Sequence, residues 1–130
     1  MEPQQPTFIR RRLNSFGYAL KGITAAFRSE INLRWHVLSA GAAVTAGFYF
    51  GLTTLEWVIV IFCIGLVWMA ELFNTALEVV VNLVSPERHP LAGKAKDIAA
   101  GAVLIASITA ALAGLLVFLP YVWDLLQKYS

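Results

Sequence analysis

Three long stretches that are uncharged or nearly so dominate this chain of 130 residues. Residues 37–55 and 98–122 carry no charge, and residues 57–85 contain Glu71, Asn74, Glu78 and Asn82 as their strongly polar groups. A helix needs about 20 residues to cross the hydrocarbon core of a bilayer, so each stretch predicts a transmembrane helix. With 58% hydrophobic and 14% charged residues, so short a chain has more apolar surface than one soluble core can hide. The expected fold class is an all-α membrane protein with spans over 34–52, 56–84 and 98–122. A short turn at 51–56 joins the first two. Pro86, Pro90 and Gly93 mark residues 86–97 as a loop joining the last two.

Ahead of the first span, Leu13, Phe16, Leu20, Ile23 and Phe27 recur at steps of three and four, while Arg11, Asn14, Tyr18, Lys21 and Arg28 fall on the other side. That pattern predicts an amphipathic interfacial helix over 7–29, which anchors to headgroups and whose polar stripe could also line a site. Residues 1–12 lack the apolar core and small-residue cleavage site of a removed signal, so insertion by the chain's own spans is expected. Arg10, Arg11, Arg12, Lys21, Arg28 and Arg34 precede the first span, and Arg88, Lys94 and Lys96 lie between the second and third, leaving Lys128 alone on the opposite side. By the positive-inside rule the N-terminus and the 86–97 loop are cytoplasmic and the C-terminus is outside.

Small residues recur every fourth position at Ser39, Ala43, Gly47 and Gly51, and again at Ala102, Ala106, Ala110 and Gly114. Such faces let helices approach closely in lipid. Three spans make a thin bundle, so a homo-oligomer that buries Glu71 and Glu78 is expected. The single Cys63 sits in an apolar run and reads as packing.

Chemistry concentrates in the second span. Glu71, Asn74 and Glu78 are spaced by three and four and therefore share one helix face. Ionisable groups within a membrane are costly to insert, which favours a functional reading over a pair of structurally satisfied carboxylates. Glu78 lies nearer the cytoplasmic mouth and Glu71 about 10 Å deeper. A carboxylate near water suits Mg²⁺, whereas a deeper one, stripped of solvation, suits a general base. Glu30, at the end of the amphipathic helix and on the same side as Glu78, is a second metal candidate; Mg²⁺ commonly takes one or two carboxylates and completes its shell with phosphate and water. Glu87, Arg88 and His89 followed by GKAKD at 93–97 place cations beside these groups, where they could hold phosphate oxygens. Basic loops are common in membrane proteins, so the loop alone says little. No Walker-type phosphate loop and no soluble-kinase motif is present, so a nucleotide would have to be bound by another framework.

ELFNTALE at 71–78, HPLAGKAKD at 89–97 and AAGA at 99–102, together with Gly17, Tyr18, Lys21, Gly22 and Glu30, closely resemble the prokaryotic diacylglycerol kinase family of small membrane kinases. The resemblance runs from about residue 16 to 120. It implies a single lipid kinase domain over 1–130, a homotrimer with shared sites at the membrane–cytoplasm interface of a bacterial cell membrane, and a lipid alcohol and ATP as substrates. Glu71 would be the general base, with Asn74 positioning the site, and Glu30 and Glu78 would bind the Mg²⁺ that bridges ATP phosphates. Arg11, Tyr18, Glu87, Arg88, His89, Lys96 and Asp97 fall where the family contacts ATP. Arg88 replaces an aromatic residue of the diacylglycerol-using members, and Asn82 stands where the family usually carries Asp. Within the family, EINLRWH at 30–36, HPLA at 89–92 and FLP at 118–120 look more like the Gram-positive undecaprenol kinases, which favours undecaprenol as acceptor and diacylglycerol as the alternative.

Two other classes were weighed. A proton-coupled transporter would use Glu71 as its carrier, but three spans and a charged loop do not suit an inverted repeat. A passive scaffold would have no use for the polar stripe. Nothing suggests a nucleic-acid partner.

Overall fold

The computed structural model describes residues 8–129, and all of its regular structure is helical: α1 (Phe8–Ser29), α2 (Ile31–Phe50), α3 (Thr54–Val84) and α4 (Pro90–Tyr129). Thr7, the expected first residue of the amphipathic helix, lies outside the described residues.

Glu30 separates α1 from α2 with a single extended backbone conformation, and its N–H still donates to Ala26 O at 2.9 Å. Arg34 reaches back across this corner, donating from Nε to Phe27 O at 3.0 Å and from Nη2 to Arg28 O at 2.6 Å. A cation on the last carbonyls of a helix satisfies acceptors that have no intrahelical partner. Ala26 and Leu33 are buried beneath the corner. The apolar residues Leu13, Phe16, Leu20, Ile23 and Phe27 of α1 are all exposed.

At the other end, Gly51 closes α2 in the left-handed conformation at φ 68°, where a side chain is disfavoured. Thr53 and Glu56 then form a capping box that starts α3. Tyr121 Oη of α4 donates to the same Glu56 Oε2 at 2.7 Å. Leu52, Val60 and Val117 form the buried core here, flanked by Trp57 and Phe118.

α3 and α4 pack along their lengths, and both are long and apolar enough to cross a membrane. Only 17% and 11% of their most apolar windows are buried within the chain. A core helix of a soluble protein would be mostly buried, so these surfaces need an apolar solvent. Among the described residues these are the two helices that meet that mark. α2 falls short of it: Arg34 and His36 occupy its first turns and weakly apolar small residues follow.

Two expectations change. The 86–97 loop shrinks, because α4 already begins at Pro90. Proline is well suited to the first helical position, where its missing N–H costs nothing. His89 sits just before it as a cap, its Nδ1 accepting from Leu91 N–H at 3.2 Å. The argument for an oligomer from the burial of Glu71 also falls away, since one chain leaves that residue only 2% exposed.

Five small residues of the two stripes meet their neighbours in two ways. Gly47 makes a close approach, as a Cβ there would come within 2.8 Å of the Trp57 ring. Ser39, Ala43, Ala110 and Gly114 instead line a groove of about 290 Å³ between α2, α3 and α4.

Candidate active site

Helical periodicity carries Glu71, Asn74, Glu78 and Asn82 along one face of α3, a polar line about 16 Å long by helix rise. Glu71 and Asn74 are buried, at 2% and 9% exposure, while Glu78 is half-buried and Asn82 exposed. The line therefore runs from a dry interior to the surface. Asn74 Nδ2 donates to Glu78 Oε1 at 3.1 Å, and Thr75 Oγ1 donates to the backbone oxygen of Glu71 at 2.9 Å. Neither contact reaches the Glu71 carboxylate.

That carboxylate meets α2 instead. His36 Nε2 lies 3.3 Å from Glu71 Oε1. Glu71 Oε1, Asn74 Oδ1 and the indole Nε1 of Trp68 are buried without a well-formed hydrogen bond. Glu30 and Glu78 bring their charges close enough to act on Glu71. The corner between α1 and α2 thus sets Glu30 within electrostatic range of Glu71.

Further along α3, a cleft of about 510 Å³ opens where α3 gives way to α4. Asn82, Glu87, Arg88, His89 and Lys96 are among its lining residues. Lys96 Nζ donates to Asn82 Oδ1 at 2.7 Å, joining α4 to the end of the polar line. Ser85 Oγ donates to Glu87 O at 3.1 Å and tightens the turn. A cleft lined by Arg88, His89 and Lys96 offers donors and positive charge to an anion.

Two groups of the expected residues are therefore gathered: Glu30, Glu71, Asn74 and Glu78 in one, Glu87, Arg88, His89 and Lys96 in the other. Arg11, Tyr18 and Asp97 stand apart from both, on exposed positions of α1 and α4 outside the lining of the cleft. The Lys21 ammonium lies over the Tyr18 ring at 5.9 Å. Spacing alone did not point to His36. His36 stands at the edge of the first apolar run, and its sequence signal was its place in EINLRWH, a segment that marks the family resemblance without giving the histidine a role.

The family model for the prokaryotic diacylglycerol kinases matches residues 17–118, a segment holding every residue of both groups. The chain belongs to that family. A relative from Bacillus subtilis (strain 168), an undecaprenol kinase, is 41% identical over 112 residues, covering 86% of this chain and 91% of its own. A diacylglycerol kinase of Synechocystis is 42% identical over 109 residues, or 83% of this chain and 62% of that protein. The diacylglycerol kinase of Escherichia coli (strain K12) is 35% identical over 104 residues, covering 80% and 85%. The family is thus one of membrane lipid kinases, and the polar line and the cleft lie inside the shared segment.

Proposed function

We propose that this chain is an ATP- and Mg²⁺-dependent kinase of the cytoplasmic membrane that phosphorylates undecaprenol. The observation that carries the reading is the polar line of α3, which joins a dry carboxylate at Glu71 to a cationic cleft at Asn82 and Lys96. A lipid alcohol keeps its tail in the bilayer while its hydroxyl meets a phosphate that stays in water. A site built for that meeting needs a base at membrane depth and anion-binding groups at the surface.

In the reaction, the hydroxyl oxygen attacks the γ-phosphorus of ATP and the bond to the bridging oxygen of ADP breaks. Glu71 takes the hydroxyl proton, with Asn74 positioning the site. Arg88, His89 and Lys96 hold phosphate oxygens, and Glu87, Arg11, Tyr18 and Asp97 complete the nucleotide contacts. The resemblance to the family puts Arg11, Tyr18 and Asp97 in a site shared between the chains of a homotrimer.

Glu30 and Glu78 hold the metal. Hard oxygen donors with unpartnered buried oxygens nearby suit Mg²⁺. When bound, Mg²⁺ neutralises charge on the transferring phosphate. The whole chain acts as one domain, α2 is the first of three spans, the N-terminus and residues 86–97 face the cytoplasm, and the C-terminus lies outside.

The acceptor is undecaprenol because of the segments at 30–36, 89–92 and 118–120 and the Bacillus relative. The relatives named diacylglycerol kinase support diacylglycerol as the second reading. Transfer of labelled γ-phosphate to each lipid, side by side in the same micelles with Mg²⁺, tests both. Faster labelling of undecaprenol is expected. A preference for diacylglycerol would move the protein to phospholipid turnover, and no transfer to either would contradict the kinase reading.

A further inference from the structure

We infer that His36 is the positioning residue for Glu71, an inference that rests on Glu71 acting as the base. The burial of Glu71 creates the need. A carboxylate at 2% exposure has lost its water, and its two nearest polar neighbours on α3 give their donors elsewhere: Asn74 Nδ2 to Glu78, and Thr75 Oγ1 to a backbone oxygen. Among the described residues His36 is the chargeable side chain in contact with Glu71, its Nε2 standing 3.3 Å from Oε1.

This contact crosses from α2 to α3. It ties the carboxylate to the helix that Glu30 opens, so the base and a metal-side acid are referred to one rigid element. The His36 side chain is three-quarters buried at 25% exposure, and it also lines the groove between α2, α3 and α4. The imidazole therefore stands between the groove and the base. Without it the carboxylate is free to turn about its own torsions, and proton transfer needs the oxygen within hydrogen-bond reach of the acceptor hydroxyl. His36 thus acts through Glu71 rather than on the reacting atoms.

The test uses the full chain in micelles with ATP, Mg²⁺ and lipid alcohol. His36→Ala lowers kcat by about 10- to 100-fold and leaves KM for ATP unchanged. His36→Gln, whose amide nitrogen can stand near the place of Nε2 and donate to a carboxylate, restores most of the rate, whereas the shorter His36→Asn does not. Thermal unfolding of the Gln and Asn proteins is the same, which separates positioning from a role in packing. In a Glu71→Gln background, His36→Ala causes no further loss, since the two residues act as one unit. Wild-type kcat in His36→Ala, or a folded His36→Gln protein as slow as His36→Ala, would overturn the inference while the wild-type kinase activity stands. Absence of transfer by the wild-type chain would overturn the kinase reading and this inference together.

Discussion

Lys96 donates to the Asn82 side-chain oxygen at 2.7 Å, across fourteen residues and the turn between α3 and α4. Because the acceptor is a neutral amide, the lysine is held in place without a carboxylate to offset its charge, and its remaining donors stay available to phosphate. Replacing Asn82 with Leu removes the tether. KM for ATP is expected to rise by about three- to tenfold with kcat largely kept, the size of one exposed hydrogen bond to a charged group. Asn82→Asp keeps the tether but offsets the Lys96 charge, so KM for ATP should rise there too. Steady-state kinetics over a range of ATP concentrations check both.

Gly47 faces the Trp57 ring at the crossing of α2 and α3. A Cβ there would lie 2.8 Å from the ring and 3.1 Å from Leu52 Cδ1, and Trp57 is itself packed on Phe48 at 4.8 Å between centroids. With the Trp57 ring held against Phe48, Gly47→Ala overpacks the contact and is expected to destabilise the fold by about 1–3 kcal/mol. Thermal unfolding in detergent measures it, and Gly114→Ala, where nothing lies within 4 Å, is the matched control.

Glu56 gathers three donors on one oxygen: Thr53 N, Thr53 Oγ1 and Tyr121 Oη, each at 2.7 Å. The cluster starts α3 and fastens α4 to it, far along α3 from the acids. Tyr121→Phe and Thr53→Ala are each expected to lower the unfolding midpoint, and the double variant to lower it by an amount that differs from the sum, because the donors share one acceptor. Specific kinase activity of the folded fraction should be unchanged in all three. A kinetic defect in folded Tyr121→Phe would show that this end communicates with the site.

Much of this arrangement is legible in the residues themselves. Two apolar runs became α3 and α4, and the steps of three and four put Glu71, Asn74 and Glu78 on a common face, because both follow from helix geometry alone. What required the fold was everything that crosses between elements. Glu30 reaches the acids only because one extended residue and the Arg34 cap turn α1 onto α2. The partnership of His36 with Glu71 depends on how α2 leans on α3, and that of Lys96 with Asn82 on a turn shortened by Pro90 at the first position of α4. The same proline reads as a loop signal when the cap supplied by His89 is not yet visible. Burial of Glu71 needs no second chain, since one chain already encloses it, whereas Glu78 stays half-buried.

The most direct test of the account is the turnover of Glu71→Gln, measured as transfer of γ-phosphate to lipid alcohol in the preparation whose thermal unfolding is recorded. Glutamine keeps the size of the side chain and removes its ability to take a proton. The account predicts a fall in kcat of about 100-fold or more with the unfolding transition retained. Near wild-type turnover by a folded Glu71→Gln protein would contradict it.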